Sequence, residues 1–113
     1  MSSYYLERAQ LQLLNNNIET AISDATKSIS SNPNKWESYN FRSNLLAQSG
    51  KLTEALTDLN KSISINDNQA ESFIARGKLR IQMHDIQGAC KDLSKVASWG
   101  FDEFEPWIQK NCK

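Results

Sequence analysis

Tyr39, Ser43 and Leu46, and after a polar break Leu52, Ala55, Leu59, Ser62 and Ile63, place apolar or small side chains three and four residues apart. That spacing puts them on one face of an α-helix, so the segment reads as two amphipathic helices joined by a turn. The break, Ser49-Gly50-Lys51, offers a glycine suited to the left-handed residue that follows a helix end. The same pattern continues in both directions and predicts helices over 3–15, 18–31, 36–49, 52–65, 70–83 and 86–98. Asn15-Asn16-Asn17 and His84-Asp85 stand at the phase of the Gly50 break, whereas Asn32-Pro33-Asn34 and Asn66-Asp67-Asn68 separate one helix pair from the next. Pro33 stops a helix from running through. Only two prolines and four glycines punctuate the chain, too few for a sandwich or barrel of many short strands.

Shifting the sequence against itself by 34 residues aligns chemically equivalent columns. Rings fall at Tyr5, Tyr39 and Phe73; Arg8, Arg42 and Arg76 come three residues later, followed by the small Ala9, Ser43 and Gly77. Further columns are Ile18/Leu52/Ile86, Ala21/Ala55/Ala89, Asp24/Asp58/Asp92, Ala25/Leu59/Leu93 and Lys27/Lys61/Lys95. A two-helix unit of this length cannot bury its apolar face alone and stacks on its copies.

The pattern of Tyr39, Ser43, Leu46, Gly50, Ala55 and Leu59, with Pro33 closing the first unit, resembles the tetratricopeptide repeat. The resemblance implies an all-α solenoid and a single domain over 1–113. Three helix-turn-helix units, 2–35, 36–69 and 70–103, would form a right-handed superhelix closed by a seventh, capping helix over about 102–112. Departures are local: Asn16 and His84 replace the glycine, Gly88 stands where an acidic residue is usual, and Gln12 and Arg80 replace a large apolar residue. Trp107 follows Phe73 by one period, and Trp99, Phe101, Phe104 and Trp107 are expected to pack the cap. No equivalent cap precedes Tyr4. The face carrying Tyr4, Leu11 and Leu14 is therefore exposed, continuous with further repeats, or the contact of a homodimer.

By the same resemblance, first helices line a concave groove that receives a peptide or protein segment. The residues facing it here are Leu6, Gln10, Asn40, Phe41, Asn44, Glu71, Ile74 and Lys78. Phe41 and Ile74 offer apolar anchors, Asn40 and Asn44 amide hydrogen bonds, and Glu71 and Lys78 charge preference. The subclass that clamps chaperone tails needs Lys and Asn, then Asn, then Lys and Arg, where this chain has Leu6 and Gln10, Phe41, Glu71 and Ala75. Binding of such a tail is not expected. The implied role is that of an interaction adaptor, with a self-associating array as the alternative.

Composition narrows the partners. Thirteen basic residues balance thirteen acidic ones, leaving no field to recruit nucleic acid. No apolar run approaches the ~20 residues of a membrane span, and the N-terminal residues lack the basic-then-apolar order of a signal peptide. Catalysis is not expected: His84, the single histidine, falls in a turn, and with Cys90 six residues away it forms no triad. His84, Cys90 and Cys112 lack the paired short spacings of a metal site, and no cofactor motif occurs.

The charged columns Arg8/Arg42/Arg76 and Asp24/Asp58/Asp92, sixteen residues apart in each unit, read as a recurring Arg-carboxylate pair that fixes helix docking through a bidentate fork. Cys90 and Cys112 lie ten residues before and twelve after Gly100, distances that bring antiparallel helices to similar heights. The pair also resembles the ending of repeat proteins of Bacteroidetes bacteria. Both arguments favour a Cys90–Cys112 disulfide and an exported, periplasmic or cell-surface origin. Two free thiols in a cytoplasmic protein are the alternative.

Overall fold

The computed structural model describes residues 17–112. The helix expected over 3–15, with Leu6, Arg8 and Gln10, lies outside the described residues. Contacts divide the chain between Asp67 and Asn68 into two compact units. The first holds α1 (Ile18–Ser31), α2 (Trp36–Gln48) and α3 (Leu52–Ile65); the second holds α4 (Ala70–Gln82), α5 (Ile86–Ser98) and α6 (Glu105–Asn111). All six elements among the described residues are helices, and none is long and apolar enough to cross a membrane.

In the first unit α2 packs against both α1 and α3. Its Trp36 carbonyl accepts from the Ser62 hydroxyl at 3.1 Å near the end of α3, while Arg42 meets Asp58 farther back, so the two helices run antiparallel. Ala21, Ala25 and Leu45 form the α1–α2 core, with Ile18, Ile22 and Phe41 packed around it. At the same junction the buried hydroxyls of Ser28 and Ser38 bond each other at 2.9 Å, which satisfies polar atoms that would otherwise cost stability in an apolar seam.

In the second unit α4 pairs with α5 and α6 packs on α5. Phe73, Leu79, Ala89, Leu93 and Val96 are buried. Gly77 sits where the helices approach: a Cβ there would lie 2.7 Å from Leu93 Cδ2, closer than packing allows. At this helix pair the absence of a side chain at Gly77 is thus a steric requirement, whereas the equivalent Ser43 is accommodated in the first unit.

Helix ends follow the turn chemistry. Gly50 at φ 82° closes α2, with the Lys51 amide donating to the Leu46 carbonyl at 2.8 Å. His84 adopts φ 64° and closes α4 in the same way, the Asp85 amide donating to the Arg80 carbonyl at 2.7 Å. α2 and α4 stop one residue earlier than expected because Ser49 and Met83 serve as their caps. At the next helix starts, Asn17 accepts from the Thr20 amide at 3.2 Å and Asp85 from the Gly88 amide at 3.0 Å, but Lys51 in the same column caps nothing.

The cap departs from expectation in its start. α6 begins at Glu105 rather than near residue 102, because Pro106 has no amide to donate and is accommodated in a helix's first turn. Its aromatic packing is also partial. Trp99 meets Phe73 edge-to-face at 5.6 Å yet stays 38% exposed, and Phe101 is 48% exposed.

Two substitutions should stabilise the fold. His84→Gly removes the Cβ from a left-handed residue and should add about 0.5–1 kcal/mol. Lys51→Asn should add about 1 kcal/mol by capping the Glu54 amide. Each is checked by the urea midpoint, and an unchanged or lowered midpoint contradicts the corresponding account.

Candidate functional site

What positions the exposed helix faces is a pair of charged forks. Arg42 donates from Nε to Asp58 Oδ2 and from Nη2 to Oδ1, both at 2.7 Å. Its remaining Nη1 reaches the Thr26 hydroxyl of α1 at 3.3 Å, so one guanidinium bridges three helices. The hydrogen bonds to Asp58 raise the Arg42 pKa above its ordinary value against the opposing effect of burial. Arg76 repeats the fork on Asp92, with Nε at 2.9 Å and Nη2 at 2.7 Å. Both carboxylates are buried. The guanidinium carbons lie 6.0 Å from the Tyr39 ring centre and 5.5 Å from that of Phe73, which ties the ring column to the arginine column three residues on. Asp24, in the same column, is buried in α1, and its column partner Arg8 lies outside the described residues.

A second arginine on Asp92 was not foreseen. Arg80, which stands where Leu46 is buried in the first unit, donates from Nη1 to Asp92 Oδ2 at 2.9 Å and to the Gly88 carbonyl at 3.4 Å. Gly88 explains how it fits: a Cβ at Gly88 would lie 2.8 Å from Arg80 Cδ and would collide with the Asp85 carboxylate. The two departures from the repeat pattern are therefore coupled. Each was visible alone in the sequence, but eight residues of separation hid that they touch.

The residues expected to face a ligand fall on α2 and α4. On α2, Asn44 is exposed, while Asn40 and Phe41 are half-buried. Phe41 packs against the α1–α2 core, so part of its ring serves the fold. On α4, Glu71 and Lys78 are exposed and Ile74 is half-buried. The Lys78 ammonium lies 5.6 Å from the Phe104 ring centre, a contact that holds a flexible side chain in place. Leu6 and Gln10 lie outside the described residues. The first unit also contains a cleft of about 370 Å³ lined by Ile22, Thr26, Leu46, Lys51, Glu54 and Thr57 above the Arg42–Asp58 fork. Sequence reading missed it because its rim positions differ in character from unit to unit.

Cys90 and Cys112 are joined by a disulfide, with Cα atoms 5.7 Å apart. His84 is an exposed turn residue, and among the described residues no group of three His, Cys, Asp or Glu side chains could hold a metal ion.

Residues 37–69 match the model of the tetratricopeptide repeat. The chain has the tetratricopeptide-repeat fold. Among solved tetratricopeptide-repeat structures, the first such domain of Spaghetti (RPAP3) bound to the HSP90 peptide SRMEEVD is 20% identical and aligns with a TM-score of 0.87 over 96% of this chain and 90% of that one. The first such domain of human RPAP3, solved by NMR, is also 20% identical, with a TM-score of 0.87 over 97% and 88% of the two chains. The Arabidopsis OM64 domain is 18% identical, with a TM-score of 0.80 over 83% and 78%. Comparison with curated proteins gives no match.

The fork predicts a large stability effect from a small change. Asp58→Asn keeps the shape but removes the charge, and should cost about 2–4 kcal/mol; Arg42→Met leaves a buried carboxylate unpaired and should cost about 3–5 kcal/mol. Urea midpoints unchanged in both variants would show that the fork does not hold the helices.

Proposed function

We propose that the chain is a non-enzymatic protein-interaction module that holds a peptide or protein segment of a partner on the first helices of its repeats. Tetratricopeptide-repeat domains are protein-interaction modules, and the Spaghetti domains of the same fold are bound to a peptide. The observation that carries the reading is the division of labour on α2 and α4. Their charged groups toward α3 and α5 are consumed by the Arg–Asp forks, whereas Asn44, Glu71 and Lys78 remain exposed on helices held rigidly from behind. Amide, carboxylate and ammonium groups on a rigid support give a partner orientation and charge preference at low ordering cost.

Two tests address this reading. Asn44→Ala combined with Lys78→Glu should reduce capture of the partner about tenfold while lowering stability by no more than about 0.5–1 kcal/mol, that of the Lys78–Phe104 contact, since neither residue is buried. Undiminished capture would move the binding surface elsewhere. The partner is not expected to be a chaperone tail: Glu71 sets a carboxylate, and Phe41 and Ala75 set apolar groups, where the resembling clamp carries basic or amide side chains. Calorimetric titration with SRMEEVD should give no binding heat, and a micromolar complex would overturn the assignment.

A further inference from the structure

The last helix is tied to α5 by a covalent bond and has few other contacts, among them Lys78 over the Phe104 ring. α6 has seven residues, none of them buried, and its N-cap residue Phe104 makes no side-chain capping bond. A helix of that length does not persist in water by itself. Trp107 and Ile108 are half-buried, and the C-cap of the helix is Cys112, joined to Cys90 of α5. The bridge is also reachable. Both cysteines are only half-buried, and a cleft of about 390 Å³ lined by Ile86, Gln87, Lys91 and Asn111 lies against it. Disulfides open to solvent thiols are the readily reduced ones.

We infer that Cys90–Cys112 is a redox latch that decides whether α6 covers α5. With the bridge formed, α6 lies on α5. A dithiol reductant opens it: one thiolate attacks a bridge sulfur and expels the other as thiolate, and the second reductant thiol then resolves the mixed disulfide. Cys90 and Cys112 end as thiols and the reductant as a cyclic disulfide, with two electrons and two protons transferred. α6 then leaves, uncovering Trp107, Ile108 and the α5 strip that continues from Ile86, already 39% exposed. The rest of the unit keeps its own support, since the Arg76–Asp92 fork and buried Leu79, Ala89, Leu93 and Val96 belong to α4 and α5.

Hydrogen exchange on the full chain, with and without dithiothreitol, tests the latch. The reporters are the amides of Ile108 and Cys112, which donate to the Phe104 and Ile108 carbonyls at 2.9 and 2.8 Å. On reduction they should exchange about tenfold faster or more, while amides of α2 to α5 keep their rates. A Cys90→Ser/Cys112→Ser variant should show the fast rates without reductant and no response to it. Equal exchange in both redox states, slow α6 exchange in the variant, or loss of protection across α4 and α5 on reduction would overturn the proposal.

Discussion

The structure hangs on the bidentate fork between an arginine of one helix and a buried aspartate of the next. In each unit it joins the middle of a helix pair, so it sets the height at which the two helices meet. The apolar contacts of Ala55 and Leu59 or Ala89 and Leu93 are non-directional and set that height less sharply. Two parallel N–H···O bonds fail after a small slide, and a buried carboxylate left without them is expensive. The surrounding choices follow from that demand. A ring three residues before each arginine supplies a face for the guanidinium, and a small residue just after it lets the helices approach.

Much of this was legible because the demand recurs. The Arg and Asp columns stood out at a fixed separation, and the Ala and Leu columns marked the buried face, so helix pairs and their inner surfaces could be read from self-comparison. The turn at Gly50 was legible for a different reason, since a residue past a helix end favours the one side chain without a left-handed penalty. His84 shows the limit of that rule: the helix end imposes the conformation even on a residue that resists it.

What escaped the sequence were contacts made once by ordinary side chains, unlike the Cys90–Cys112 bridge, whose two cysteines are the only pair in the chain. Arg80 looked like a defect in an apolar column and is instead a second donor to Asp92. Phe41, read as facing the groove, also packs against the cluster of Ala21, Ala25 and Leu45, a contact its column does not announce. The cap was placed too early because its start was read from the repeat phase of Trp107 after Phe73, whereas Pro106 fixed the first turn. Repetition amplifies weak physical signals, and unique contacts between residues distant in sequence have no such amplifier.

The Arg80–Gly88 contact bears on how such a chain can change. Restoring the usual residue at either site alone meets an obstacle: any side chain at 88 strikes Arg80, and a leucine at 80 leaves Asp92 with one donor fewer and Gly88 with an idle gap in its helix. The two positions therefore have to move together, and a library that averages the three repeats column by column would generate the mismatched combinations first. Interchangeable as the units look on paper, overwriting the third with the second one letter at a time passes through a mismatched pair at 80 and 88.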